Sequence, residues 1–164
     1  MKTSSPRFFT VIPSPIGPLT LEASPQGLSG IFWDSQDRRT IETDQRVADE
    51  RPFTEVRRQL DAYFAGQLRR FDLPLDLRGT PFQLQAWQAL QKISYGSTIA
   101  YSEQAHWIGN PKAVRAIGLA NGRNPISIIV PCHRVIGKSG KLTGYGGGLD
   151  RKRFLLELEK STNS

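Results

Sequence analysis

The chain changes character at Arg78-Gly79, which reads as a boundary in a sequence long enough for one ordinary domain or two small ones. Before the break, short β-rich runs alternate with turn residues. Phe8–Ile12 and Leu19–Ala23 read as strands flanking Ser14-Pro15-Ile16-Gly17-Pro18, and Leu28–Trp33 reads as a third after Gly27. The charge-alternating stretch from Asp34 to Arg51 reads as loop or exposed helix. Thr54–Phe64 carries Val56, Leu60 and Tyr63/Phe64 at helical spacing, with Gly66 as its stop. Phe71–Leu77 alternates apolar and polar residues, as a last strand would.

After the break the pattern turns helical. Thr80, Pro81 and Gln83 form a capping-box signature, and Phe82, Ala86, Trp87, Leu90 and Ile93 make the buried stripe of a helix running to Tyr95-Gly96. Two short helices follow, Ser102 to Ile108, closed by Gly109, and Pro111 to Asn121, entered through Asn110 as N-cap. Such a pair is the pattern of a helix-turn-helix, and also of plain helical packing. The β-branched run Ile126–Val130 reads as a short buried strand that delivers Pro131-Cys132-His133-Arg134. A glycine-rich loop, Gly144–Gly148, precedes a last helix capped by Asp150, with Phe154, Leu155 and Leu158 on its inner face. The expected architecture is α+β, with a mixed α/β unit over residues 1–78 and a mostly helical unit over residues 79–164.

Charge divides at the same place. Residues 1–79 hold 11 Lys/Arg and 11 Asp/Glu, whereas residues 80–164 hold 11 Lys/Arg against four acids, so the whole excess of +7 lies in the second half. A neutral unit joined to a basic one suits phosphate-backbone binding by the basic module; a basic surface without a partner has the same composition. The apolar run Phe8–Ile12 is too brief for a membrane span and nothing after it resembles a secretory cleavage site. A single cysteine permits no internal disulfide, so a reduced, cytoplasmic protein is expected.

Cys132 can be read two ways. A lone cysteine commonly behaves as a small buried hydrophobe. Here Pro131 re-aims the chain just before it, and His133 and Arg134 provide a charged setting expected to lower the thiol pKa. His133 is either a structural histidine or a base. In an extended segment residues 132 and 133 would face opposite ways, so a base role requires a sharp turn at Cys132 or a relaying water. One Cys with His106 and His133 makes no convincing zinc site, and no metal is expected.

Asn124-Pro125-Ile126, Pro131-Cys132-His133-Arg134-Val135-Ile136, Gly140, Gly144-Tyr145 and Leu155-Leu156 with Glu159 resemble the O6-alkylguanine-DNA alkyltransferase family (methylated-DNA–protein-cysteine methyltransferases). The likeness extends through Thr80-Pro81-Phe82-Gln83, Trp87, Tyr101, Gly109-Asn110-Pro111 and Arg115–Gly118, and more weakly to Ser14–Leu19 and Tyr63–Gly66. It implies a ribonuclease H-like sheet with a helix in the first unit and a winged helix-turn-helix-like second unit carrying the active-site cysteine. It also implies a protein that flips O6-methylguanine out of duplex DNA and moves the alkyl group irreversibly to Cys132, with no cofactor.

By the same resemblance His133, through a water, is the base, Glu159 orients it, and Asn124 braces the turn. Tyr101 donates a proton toward the leaving guanine and presses on the nucleotide's phosphate. Arg115 is the finger entering the base stack, Ser102 and Asn110 are further DNA contacts, and Val135, Tyr145 and Gly146 line the base pocket. The partner implied is alkylated double-stranded DNA approached from the minor groove by a monomer, with no obligate protein partner and no membrane. Gln104 and Ser94 depart from the family's usual leucine and proline, and His106-Trp107 follow Gln104; these departures bear on the packing of the first helix of the pair. Three rivals stand beside this reading. They are a lesion-binding relative without transfer, whose kind lacks the cysteine, a helix-turn-helix regulator with a structural Cys132, and a cysteine hydrolase, which would turn over.

Overall fold

The computed structural model describes residues 6–33 and 46–163, which divide into two compact units at Leu77/Arg78. In the first, β1 (Arg7–Ile12), β2 (Leu19–Ser24) and β3 (Gly27–Trp33) form an antiparallel meander, and β4 (Arg46–Ala48) adds in parallel to β1, giving the order β3-β2-β1-β4. α1 (Thr54–Phe64) buries Val56, Leu60 and Tyr63, as its spacing requires. Leu19, Leu21, Ile31 and Trp33 are fully buried and make the sheet's share of the core.

Two expectations fail in this unit. Residues 46–48, expected as loop or helix, are the edge strand β4; Arg46 is fixed there by Glu22 at 2.6 Å and by the Phe9 ring, 4.7 Å beneath its guanidinium. The rest of the Asp34–Arg51 expectation down to residue 45 lies outside the described residues. Phe71–Leu77 is not a strand despite its alternation. Pro74 lacks an N–H, and the segment makes only a single bridge at Leu75, through Leu28 N–H to Pro74 O (2.9 Å) and Asp76 N–H to Leu28 O (2.7 Å). That approach needs Gly27, where an added Cβ would fall 2.5 Å from the Pro74 oxygen.

The second unit opens with α2 (Pro81–Leu90), capped reciprocally by Thr80 and Gln83. It ends at Leu90, a turn before Tyr95-Gly96, where Lys92 and Ile93 close i→i+3 bonds instead. Trp87 is buried and donates Nε1–H to the Ala120 carbonyl at 2.9 Å. β5 (Ile99–Ala100) leads into α3 (Tyr101–Trp107), and α4 (Val114–Gly122) follows the turn. α4 starts three residues later than expected. Asn110 is no side-chain cap: its carbonyl accepts from Ala113 N–H, so Pro111 and Lys112 sit in a turn.

Ile126–Val130 is buried as its composition demands but is a turn, not a strand. Val130 N–H bonds back to Ile126 O, Ile129 N–H to Ser127 O, and Ile128 takes φ 74°. A one-turn 3-10 helix, Cys132–Arg134, then leads into β6 (Val135–Ile136), which pairs in parallel with β5. α5 (Leu149–Thr162) is entered through Gly148 at φ 93°; Asp150 does not cap it but is exposed and paired with Arg153. The inward stripe of α5 is Lys152, Leu155 and Glu159, with Phe154 and Leu158 only half-buried. No helix among the described residues is long and apolar enough to cross a membrane.

Candidate active site

Cys132 owes its position to a sharp reversal. Pro131 sits at φ −85°, ψ 67°, the inverse γ-turn region, and Cys132 N–H bonds to Val130 O at 2.9 Å. Asn124 holds the arch from inside: its Nδ2 donates to Val130 O (2.7 Å) and its Oδ1 accepts from Ile126 N–H (3.0 Å). The chain does turn at the cysteine, so the extended-segment objection to neighbouring Cys132 and His133 falls away.

Behind the cysteine lies a buried charge cluster. His133, fully buried, meets Glu159 Oε2 through Nε2 at 2.6 Å. Arg134 grips the same carboxylate, Nε to Oε1 at 2.8 Å and Nη2 to Oε2 at 3.1 Å, and gives Nη1 to the Ile93 carbonyl at 2.7 Å. Burial pushes the Glu159 carboxyl up, but the hydrogen bond from the neutral His133 ring and the bonds and charge of Arg134 outweigh it and hold it well below the usual carboxylate range. Burial lowers the His133 pKa despite Glu159, which leaves the ring neutral. An ionised carboxylate only accepts, so the ring proton sits on Nε2 and Nδ1 carries the lone pair. Nδ1 has no hydrogen-bond partner among the described residues.

The thiol contradicts one expectation. Burial raises the Cys132 pKa above its ordinary value, and the Asn124 hydrogen bond and the Lys152 charge only partly oppose it. The basic neighbours do not lower it as expected, because Arg134 spends its charge on Glu159. Unaided, the thiol is protonated at neutral pH.

Cys132 opens onto a cavity of about 530 Å³ lined by Tyr101, Val114, Gly118, Asn121, Gly122, Thr143, Gly144, Tyr145 and Gly146. Tyr101 stands at the start of α3 and its hydroxyl accepts from Thr143 Oγ1 at 3.0 Å. Burial raises the Tyr145 pKa well above normal, so its hydroxyl keeps its proton. Val135, expected in this pocket, does not line it: its side chain is buried in β6 and its carbonyl accepts from Lys152 Nζ at 2.7 Å. Ser102, Asn110 and Arg115 are exposed on the helix pair, and the structure brings none of them to Cys132.

Three features escaped the sequence reading. Lys152 is fully buried and ties Val135 O to Thr143 O, each at 2.7 Å, joining β6 to the glycine-rich loop. Arg134 proves to be Glu159's second partner. Gln104 and Asn121 exchange two hydrogen bonds (2.9 and 2.8 Å) between α3 and α4, and Gln104 also donates to Ala86 O at 3.1 Å. The signal for Lys152 was its place on the Leu155/Glu159 stripe. For Gln104 it was a polar residue at an inward position, which packs tightly because every amide bond is met.

The 6-O-methylguanine DNA methyltransferase ribonuclease-like domain matches residues 8–77, and the DNA binding domain of the same methyltransferase matches residues 81–161. The chain belongs to the O6-methylguanine-DNA methyltransferase family. It is 53% identical over 154 residues to the methylated-DNA–protein-cysteine methyltransferase of Methanosarcina acetivorans, covering 94% of this chain and 99% of that one. It is 56% identical over 153 residues to the protein of the same name from Mycobacterium bovis, covering 93% and 92%. The crystal structure of Mycobacterium tuberculosis OGT in complex with DNA superposes with a TM-score of 0.88 at 56% identity, covering 94% of each chain. The methyltransferase from Methanococcus jannaschii shares the fold at 24% identity, TM-score 0.64, over 92% of this chain and 93% of that one. The two family models thus fall one on each of the two compact units. Among the described residues no group of three His, Cys, Asp or Glu could hold a metal.

Proposed function

We propose that this member of the methyltransferase family repairs DNA by taking the methyl group of O6-methylguanine onto Cys132, once per molecule. The observation that carries the reading is the thiol at the wall of a base-sized cavity with the His133–Glu159 pair behind it. In the proposed step the Cys132 proton passes through a water to His133 Nδ1, Glu159 stabilises the imidazolium, and the thiolate attacks the methyl carbon. The S–C bond forms as the C–O6 bond breaks, and the electron pair leaves with the guanine, which takes a proton from Tyr101. A raised thiol pKa suits this sequence, since a protonated resting thiol resists adventitious electrophiles until a base is seated.

The cavity wall of Tyr145 and Gly146 takes the flipped guanine, Asn124 keeps the cysteine arch in register, and Arg115 fills the space the base leaves, offsetting the few kcal/mol that flipping costs. Ser102 and Asn110 contact the backbone. Approach from the minor groove by a monomer fits a protein that reads damage, not sequence, and a reducing cytoplasm fits a thiol that must stay free. A thioether has no ready leaving reaction, so the protein is consumed mole for mole. Incubation with duplex DNA holding O6-methylguanine should add the mass of one methylene to the peptide containing Cys132, with a one-to-one end point. An unchanged peptide beside unrepaired DNA, with folded protein in excess, overturns the reading; methyl loss exceeding the protein present makes it a hydrolase.

A further inference from the structure

The recognition helix α4 presents an apolar side chain that neither the fold nor the proposed chemistry uses. Leu119 is 69% exposed, the most exposed large hydrophobic side chain among the described residues. Ile117, Ala120 and Asn121 form the buried face of α4, and Val114, Gly118, Asn121 and Gly122 border the cavity. At 100° per residue, Arg115 points between that cavity border and Leu119, which lies one turn on. The order around the helix is therefore cavity, Arg115, Leu119.

Its surroundings state what kind of surface would cover it. Of the six Lys/Arg in residues 104–149, Arg134 is buried on Glu159, but Lys112, Arg115 and Arg123 are exposed on α4 and at its two ends, with no Asp or Glu in that segment. Gly118 and Gly122 leave open space where a Cβ would stand, giving the helix a smooth flank beside the leucine. A protein partner could use an exposed leucine, but a run of exposed cations along the helix that borders a base-sized cavity matches a polyanion.

Resting on the repair reading above, we propose that Leu119 is a DNA-contact residue that packs into the duplex on the far side of Arg115 from the cavity, against the sugars and base edges of the strand opposite the flipped nucleotide. Apolar wedges of this kind hold open minor-groove steps in proteins that deform DNA. The leucine covers the strand that has lost its pairing partner, so its contribution is confined to double-stranded substrate.

The test compares Leu119→Ala and Leu119→Met with the unaltered protein on three substrates: O6-methylguanine in a duplex, in the same single strand, and as the free base. Leu119→Ala should slow methyl transfer from the duplex by about 5–10-fold, from the single strand by less than about twofold, and leave the free base unaffected; Leu119→Met should retain duplex activity. The side chain is exposed, so folding is preserved, and the free-base rate confirms it. A duplex rate unchanged in Leu119→Ala, or equal losses on duplex and single strand, overturns the contact. If the unaltered protein takes no methyl from any substrate, the repair reading itself fails.

Discussion

The two units bury different things. The first fills its core with Leu19, Leu21, Ile31, Trp33, Phe53 and Leu60, and its few buried polar side chains, Glu22, Ser24 and Gln59, are hydrogen-bonded away from any thiol. The second buries His133, Arg134, Lys152 and Glu159 together, with Gln104, Asn121 and Asn124 nearby, all below a tenth exposed. Buried charges contribute little net stability even when paired, and removing one partner is costly. A unit that assembles four such groups around one thiol is organised for chemistry at that thiol; the first unit is organised for packing alone.

The largest effect should come from Glu159→Gln. It strips Arg134 and His133 of their shared anion, at a cost of about 3–5 kcal/mol in the second unit, and slows methyl transfer by about 100-fold. Denaturant melts and single-turnover rates measure the two, and a stable, fully active variant would break the contrast between the units. Leu60→Ala is its counterpart: a loss of about 2–5 kcal/mol from the first unit's core, with the transfer rate per folded molecule unchanged. Gln104→Leu should cost about 1–3 kcal/mol by leaving the Asn121 amide unpaired, and Gln104→Leu with Asn121→Leu should recover most of it.

The smallest effect is on pH dependence. His133 and Glu159 both have folded pKa values below their ordinary ones, so the stability they contribute is complete above the unfolded values and is lost as pH falls. Loss should begin near the ordinary imidazole value of 6.5 and steepen below the ordinary carboxylate value of 4.5. Hydrogen exchange should show amides of α5 opening at acid pH before those of β2 and β3. Simultaneous opening would erase the distinction between the units.

Local signals were legible where local physics decides. The Thr80/Gln83 box and the α1 stripe are satisfied within a few residues, and both form as read. Alternation misled at Phe71–Leu77, because a strand also needs a partner and Pro74 withholds a donor. The apolar run Ile126–Val130 reported burial correctly and conformation wrongly, since the bonds closing its turn depend on Asn124. The His133–Glu159 pairing spans 26 positions along the chain, so no periodicity reports it; only the family resemblance suggested it. The sequence singles out nothing at Lys152 and reads Arg134 as a charge acting on Cys132, because it does not show that their charges have buried acceptors.

The far end of α5 is tied to the loop after α2: the Tyr95 hydroxyl bonds Thr162 Oγ1, Asn163 packs where a side chain on Gly96 would stand, and Gly96 N–H reaches Glu159 Oε1 at 3.5 Å. The carboxylate that holds His133 thus hangs from a helix whose last turn is moored. Fusion partners or labels attached through that turn would pull on the mooring and reach the thiol indirectly. Pro6, exposed just ahead of β1, is the sounder place to join anything to this protein.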